Sequence, residues 1–545
     1  MTFKQLLKSI TKKEWQWLII ISLSAIFIFH IPNIYNLIFN PPNLELSGIK
    51  FFTPADTNVY FSYINQIKAG NWTFHNQFSS ETQNIETFNI FWLATGFLAK
   101  LFHLSATNIY SIIRIVLIPI LITSSYLFIS YFFSNKNKRL LSIILVTFGS
   151  GIGAYFNFMQ KIVGEIYFKP LDLWMPEATF FNSFYTPHFI LASALIIMSL
   201  LMFLIAIDNN KLKYSFLGGL LALILFNFHP YHLPIIYFVP FTYCLYLLIS
   251  KTKPLQQLIK HCSLFCLVTL PSIVYHFYTM TDPMIGARAA QNVTLSPPYL
   301  YLALGLGIYL FLAILGIKRY FKNENKRSSS FMFLFIWICF VLLLYKFPIW
   351  QFQRRNVQVL LLPLVIFSVD YLFYLYQENK TIQKIFKKIN YPIIIVIIFI
   401  SIFTPTTFYN LSKDFYYSKN HHHLYYLHTE KLSTFETIKN LPPGTVLSSK
   451  PNSSFIVAHT DKTVFLGHNH EVLNSKAKDA IINQIFTNEK TDNEAYTVLT
   501  QANIKYLYWD YIEKNYYPNY KPTQKKYWRQ INTNNDYLIF EIISP

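Results

Sequence analysis

Charge is what this chain has least of. Asp, Glu, Lys and Arg supply only 13% of its 545 residues, and the acids are the scarcer half, 26 against 46 basic residues. A chain so short of charge cannot surround itself with a solvated surface, and its hydrophobic fraction of 53% and mean hydropathy of +0.31 agree. Cysteine is almost absent as well. Cys244, Cys262, Cys266 and Cys339 all fall inside apolar runs, with no disulfide framework and no zinc spacing. Cys262 and Cys266, four apart on one helical face, read as small packing residues. No internal repeat and no long disordered tract is visible. The net charge of +20 invites a polyanion, but Lys and Arg lie mainly in short loops between apolar runs. That pattern is membrane topology, and it excludes nucleic acid as the partner.

What the chain has in abundance is aromatic and apolar sequence, with 52 Phe and 39 Tyr. Apolar runs of roughly 18 to 22 residues recur, the length that crosses a bilayer. The fold class expected is a polytopic α-helical membrane protein. Met1–Lys13 is basic, and the run from Trp15 to Phe39 is too long for the apolar core of a cleaved signal peptide. It reads as an uncleaved first span with a cytoplasmic amino end. Cytoplasmic loops collect Lys and Arg, which assigns Ser134–Arg139, Asp208–Lys213, Lys251–Lys260, Lys318–Arg327 and Gln377–Lys388 to the inside. All five can be inside only if Asn89–His103 does not cross. That segment reads as a helix along the outer interface, with Trp92 and Phe97 buried and Lys100 snorkelling.

Spans are then expected near 15–38, 107–133, 140–158, 188–207, 214–229, 231–250, 261–279, 299–317, 329–346, 357–376 and 390–409, about eleven in all. Residues 1–410 form the transmembrane part. Residues 411–545 are more polar and alternate strand-like with helix-like stretches, which predicts a small extracytoplasmic α/β domain. Its strand candidates are Thr445–Ser449, Thr463–Leu466, Lys505–Trp509 and Tyr537–Ile543. Its helix candidates are Leu432–Lys439, Ser475–Phe486 and Thr491–Gln501, and Pro442-Pro443-Gly444 marks a turn.

Candidate functional residues gather in the outward segments. Arg354 and Arg355 stand side by side in the short loop Lys346–Asn356, on the face that should be poor in basic residues. Guanidinium forks match phosphate oxygens, so the pair points to an anionic ligand; snorkelling to head groups is the plainer reading. Asp56 is the only carboxylate between Leu46 and Ser80, behind Pro54 and before a helix-like run, and a simple helix N-cap is its alternative role. Glu177 lies among Trp174, Phe180 and Phe181, where burial would disfavour its charge; a solvated loop carboxylate is the other reading. His188 sits at a span entrance, where a packed, hydrogen-bonded ring is the common case. His229 and His232 flank Pro230-Tyr231, a spacing too loose to specify a metal site.

The order of these motifs resembles the GT-C superfamily, integral-membrane glycosyltransferases that use polyprenyl-phosphate-linked sugars. It is closest to the bacterial branch that looks like dolichyl-phosphate-mannose-protein mannosyltransferases and lipid A aminoarabinose transferases. The resemblance is carried by Asp56 in the first outward loop, the interfacial helix, Arg114 near the start of the second span, and Pro176-Glu177-Ala178. It continues through Pro187-His188-Phe189, His229-Pro230, Asn292 to Ser296-Pro297, and Phe352-Gln353-Arg354-Arg355 with Pro363. It ends on Thr463 to Gly467-His468, followed by Lys476.

The resemblance implies a transferase of the plasma (inner) membrane, with Asp56 as general base and Glu177 sharing or supporting that role. It implies Arg354, Arg355 and Arg114 at the donor phosphate, and His188, His229 and Tyr60 at the substrate. The implied partners are a polyprenyl-phosphate-linked sugar, the lipid bilayer, and a glycan, lipid or protein acceptor. A divalent metal is possible but not required by the sequence, and no metal ligand is assigned. Protein mannosyltransferases carry an Asp-Glu pair in the first loop, whereas Asp56 is followed here by Thr57, so sugar and acceptor stay open. A transporter or flippase would place ionisable residues at mid-span, and here they cluster in loops. A glycan polymerase or ligase would place its large outward loop between late spans. Those two remain the alternatives.

Overall fold

The computed structural model describes residues 1–164, 167–322, 329–380, 383, 392–532, 534 and 536–544. Parts of the expected inner loops Lys318–Arg327 and Gln377–Lys388, and the start of the expected span 390–409, lie outside the described residues. The chain packs as two compact units. The first is Met1–Tyr35, Ile112–His276 and Thr294–Lys419; the second is Asn36–Ser111, Phe277–Val293 and Asn420–Pro545.

Among the described residues, seven helices are long and apolar enough to cross a membrane: Lys12–Ile38, Ala106–Phe132, Lys136–Phe156, Pro187–Asn209, Pro230–Ile249, Leu255–Thr279 and Gln353–Glu378. The protein is therefore a multi-pass helical membrane protein, with fewer full-length spans than apolar runs. The expected straight span at 299–317 is instead two helices, Tyr299–Leu306 and Ile308–Lys322, bent by 90°, and they make an eighth span if counted together. Gly307 is the hinge. Its φ of +53° suits glycine, and a Cβ there would press on Gly151 Cα and Ile152 N at 3.1 Å. The expected spans at 214–229 and 329–346 are the apolar helices Leu212–Phe228 and Ser329–Leu344, of 17 and 16 residues. The last expected span divides at Thr404, where Pro392–Phe403 ends and Pro405–Lys419 begins.

Some basic residues read as topology markers turn out to be structural ties within the first unit. Arg139 is buried and donates to Glu14 at 3.2 Å, while the Tyr126 hydroxyl donates to the same carboxylate at 2.6 Å. Asp370 receives Lys138 at 2.6 Å and Arg319 at 2.7 Å, which joins three helices.

The second unit is built around a four-stranded sheet of β3 (Thr445–Leu447), β4 (Ile504–Trp509), β5 (Trp528–Gln530) and β6 (Leu538–Ile542), after β1 (Leu44–Leu46) and β2 (Tyr426–His428) in chain order. The sheet order is β3-β4-β6-β5, with β3 parallel to β4 and the other pairs antiparallel. Three expected strands are present. The fourth, Thr463–Leu466, makes only single bridges, Val464 to Val446 and Leu466 to Ser79. β1 pairs antiparallel with β2, so the first loop and the tail are stitched together by backbone hydrogen bonds. A helix that the sequence hid, Lys450–His459, carries Pro451 in its first turn, where the missing N–H costs nothing.

Beside that helix, Lys431 is 2% exposed and donates to Asp510 at 3.0 Å. Asn452 bridges Asp510 and Glu513, both 0% exposed. Burial pushes Glu513 up to about 7, whereas Lys431 helps hold Asp510 below its ordinary value despite burial. The helix Ile90–Leu101 starts on Asn89, whose side chain accepts the N–H groups of Phe91 and Trp92. Trp92 is buried within the protein, and Phe97 is 53% exposed on the protein surface.

Candidate active site

The candidate residues fall into both units. In the first, the arginine loop is a 3-10 turn, Gln353–Val357, fastened to the segment Thr294–Ser296. The Arg354 N–H donates to Thr294 O at 3.2 Å, the Thr294 N–H to Gln351 O at 2.9 Å, and the Ser296 N–H to Gln353 Oε1 at 3.1 Å. The motif around Ser296-Pro297 thus serves as a clamp for the loop. Glu177 sits in a turn between the short helices Leu171–Trp174 and Phe180–Ser183.

Arg355 Nη1 donates to Glu177 Oε1 at 2.9 Å, and the two side chains are 19% and 1% exposed. The guanidinium also lies 5.2 Å from the Phe189 ring centroid and 5.4 Å from that of Tyr231, while Arg354 faces the Trp174 ring at 4.7 Å. Such rings desolvate a guanidinium yet favour its charge. Glu177, expected among aromatic side chains, also meets a permanent cation, which lies 178 residues away in the sequence. Glu177 Oε2 is buried with no hydrogen-bond partner among the described residues.

His188 and His229 meet edge to face, 5.0 Å between centroids, and His229 also packs on Phe189 and Tyr231. Both ring nitrogens of His229 are buried without a hydrogen-bond partner among the described residues. His232 is instead tied to Gln358 Oε1 at 2.8 Å. Among the described residues, no group of three or more His, Cys, Asp and Glu is arranged to hold a metal ion. Arg114 is 1% exposed and lies 5.9 Å from the Phe29 ring, on which Tyr185 also packs.

Asp172, which no motif singled out, is wholly buried. The Gly153 N–H donates to it at 3.2 Å, and burial pushes its carboxyl up to about 7. A Cβ on Gly153 would lie 2.3 Å from its Oδ1, so a glycine is needed beside it.

In the second unit, Asp56 lies in the first turn of the helix Pro54–Ala69. The N-cap is not Asp56 but Thr53, at φ +44° and ψ +52° and without a side-chain cap bond. A β-branched residue in the left-handed region is strained, by about 1–3 kcal/mol. Asp56 Oδ1 accepts the Nε2–H of His468 at 3.0 Å, and the His470 N–H donates to Nδ1 of the same ring at 3.1 Å. Together these bonds describe the neutral ring with its proton on Nε2, facing Asp56; charging the ring adds a proton at Nδ1 and takes away the acceptor of the His470 N–H. Burial opposes the charge on His468, but the hydrogen bond and charge of Asp56, helped by Glu471, raise its pKa above the ordinary value; Lys450 opposes. His468 was visible only as part of a short motif, because 412 residues separate it from its partner. Tyr60, one turn after Asp56, stacks on Trp92 at 4.6 Å and an interplanar angle of 14°. Lys476 is exposed, and Lys478 is the residue that pairs, with Glu81 at 2.7 Å.

No family model and no curated protein matches the sequence. Solved structures match in fold. The apo oligosaccharyltransferase of Archaeoglobus fulgidus is 13% identical with a TM-score of 0.54, over 92% of this chain and 70% of that one. The oligosaccharyltransferase AglB of the same organism, in complex with an inhibitory peptide and a dolichol-phosphate, is 13% identical with a TM-score of 0.52, over 93% and 70%. The arabinofuranosyltransferase AftD from Mycobacteria is 10% identical with a TM-score of 0.51, over 97% of this chain, which spans 40% of that longer enzyme. Identities this low compare folds only. The likeness to these enzymes is therefore one of fold.

Proposed function

We propose that the chain is a membrane glycosyltransferase that moves a sugar from a polyprenyl-phosphate donor to an acceptor hydroxyl on the extracytoplasmic face of the plasma (inner) membrane. The observation that carries the reading is the fastened Arg354-Arg355 turn, with Arg355 on a buried carboxylate and rings around both guanidiniums. A pair of cations preorganised in apolar surroundings suits a phosphate leaving group, whose charge grows as the glycosidic bond breaks. The GT-C-like fold supports the same chemistry, and one neighbour of that fold was solved with a dolichol-phosphate. A lipid carrier also explains an outward site, since nucleotide sugars are cytoplasmic.

In the proposed step the acceptor oxygen forms a bond to the anomeric carbon, with inversion, as the bond from that carbon to the phosphate oxygen breaks. The electron pair leaves with polyprenyl phosphate, held by Arg354 and Arg355 with Arg114 in support. The acceptor proton passes to Asp56, and His468 positions that carboxylate through Oδ1. Glu177 offers Oε2 to a sugar hydroxyl, His188 and His229 contribute further polar contacts, and Tyr60 lines the acceptor side. Residues 1–410 would supply the membrane part and 411–545 the outer domain, with about eleven crossings if the shorter apolar helices also span.

The test is incubation of the purified protein with radiolabelled polyprenyl-phosphate sugars, following release of polyprenyl phosphate. Label leaving the lipid, by transfer or by slow hydrolysis, is the expected result. Intact donor together with lipid movement across proteoliposomes would replace the transferase by a flippase.

A further inference from the structure

The second unit contains a cavity of about 230 Å³ whose wall runs up to the candidate base. Pro54, Ala55 and Asn58, around Asp56 on the same helix, form one side, and His468, His428 and Lys450 contribute to the rest. The size is below that of a typical drug-sized site, ~300 Å³ and upward, so it holds one small ring or one short side chain. Its lining decides between them.

Asn58 is 2% exposed. Its amide N–H donates to Ser454 Oγ at 2.8 Å, and its Oδ1 is buried with no hydrogen-bond partner among the described residues. A buried amide oxygen left in this way calls for a donor from an occupant. Tyr511 lines the cavity too and is 38% exposed, a partly open aromatic face. Lys450 supplies a donor on another side and is held by Asn469 at 3.0 Å. An amide acceptor, a donor and an aromatic face around one ring's volume suit a sugar, which has hydroxyl edges and apolar faces. A Ser or Thr side chain would leave most of this lining unused.

We infer that this cavity is an acceptor subsite for a single sugar ring, so that the acceptor is a glycan end and not a protein hydroxyl. This rests on the transferase reading for its purpose, but binding can be tested without any transfer. Saturation-transfer difference NMR on the detergent-solubilised full chain, with methyl hexosides at tens of millimolar, should show protein-to-ligand transfer. Asn58→Leu and Tyr511→Ala should each weaken binding at least tenfold, while Tyr511→Phe, which keeps the ring, should bind within about twofold of the wild type. A Ser/Thr-containing peptide should not displace the hexoside.

No hexoside signal, a signal indifferent to both substitutions, or displacement by the peptide would each overturn the subsite. Tyr511→Phe separates a lost ring from a misfolded protein. Donor turnover measured separately tells the two failures apart: a chain that cleaves donor but ignores hexosides loses the subsite and keeps the enzyme, and one that binds hexosides but never cleaves donor does the reverse.

Discussion

Each unit holds a carboxylate on a nitrogen cation or cation-to-be, and the two are held in opposite ways. Glu177 is 1% exposed at its side chain and is fixed by Arg355, a group that never titrates in the working range. Asp56 is 35% exposed at its side chain and is fixed by His468, a group that does titrate there. A carboxylate held by a permanent cation inside the protein is fixed in place, with one oxygen already engaged. A carboxylate at an open surface, oriented by an imidazole N–H, can accept a proton and return it to solvent. The difference supports the roles proposed for them, Glu177 for binding and alignment and Asp56 for the base.

The comparison breaks if the roles are reversed. Asp56→Asn should lower the transfer rate by about 10²- to 10⁴-fold, the usual worth of a positioned general base, with donor affinity changed little. Glu177→Gln should act mainly on KM. Steady-state kinetics of both variants decides; a large kcat loss at Glu177 with a mild one at Asp56 would exchange the assignments.

A smaller effect sharpens the phosphate half of the comparison. Arg355→Gln should weaken donor binding by about 10- to 100-fold, the loss of one or two charge-assisted hydrogen bonds. It also strands Glu177, at about 3 kcal/mol of stability. The double variant Arg355→Gln with Glu177→Gln should recover most of that stability and none of the donor affinity. If donor affinity returns with stability, the arginine is a structural tie only. Equilibrium binding of labelled donor lipid and thermal melting in detergent give the two readouts.

How much of this was legible beforehand follows from the range of the forces involved. Apolar runs and turn residues act locally, so the helices at 106–132 and 187–209 and strands β4 and β6 lie within one or two residues of their expected places. The 90° bend at Gly307 was not legible, because it depends on Gly151 and Ile152 approaching from far along the chain. Lys138 and Arg139 looked like topology charges because their carboxylates, Asp370 and Glu14, are distant in sequence. At the candidate site, residue types were visible and pairings were not. Glu177 was noticed for its aromatic neighbours, and Arg355 for its charge, without any sign that they touch. Asp56 and His468 were each named in short motifs and joined only by the fold. Asp172 lacked any signal, since the groups that meet its carboxylate, the Gly153 N–H and the Thr406 side chain, are distant in sequence.

Changing the titratable partner should have a more modest effect. His468→Gln keeps a donor for Asp56 and removes the charge, so the rate should fall several-fold. In the wild type, the His468–Asp56 charge pair is fully formed below the ordinary His pKa of ~6.5 and fades as pH rises through the raised folded value. Any gain in stability or rate from that pair therefore weakens on the alkaline side. A kcat/KM profile from pH 6 to 9 should show that limb in the wild type and lose it in His468→Gln. An identical profile in both would remove His468 from control of the carboxylate.

The smallest expected change in rate is at Asp172, which tests whether a buried acid without a cation behaves unlike both pairs. Its folded pKa is raised by burial to about 7, against ~3.9 for an unfolded Asp. The folded state thus holds a proton that the unfolded state gives up across that window, so stability is greatest at the acid end and falls as pH climbs from ~4 to about 7. Asn carries no such proton and can still accept the Gly153 N–H. Asp172→Asn should match the wild type near pH 4.5 and exceed it in melting temperature above pH 7, by the equivalent of about 2–4 kcal/mol, with donor turnover unchanged. A variant less stable than the wild type at pH 8 would mean that the carboxylate is charged and paired, and Asp172 would then join Glu177 and Asp56 as a third ionic centre.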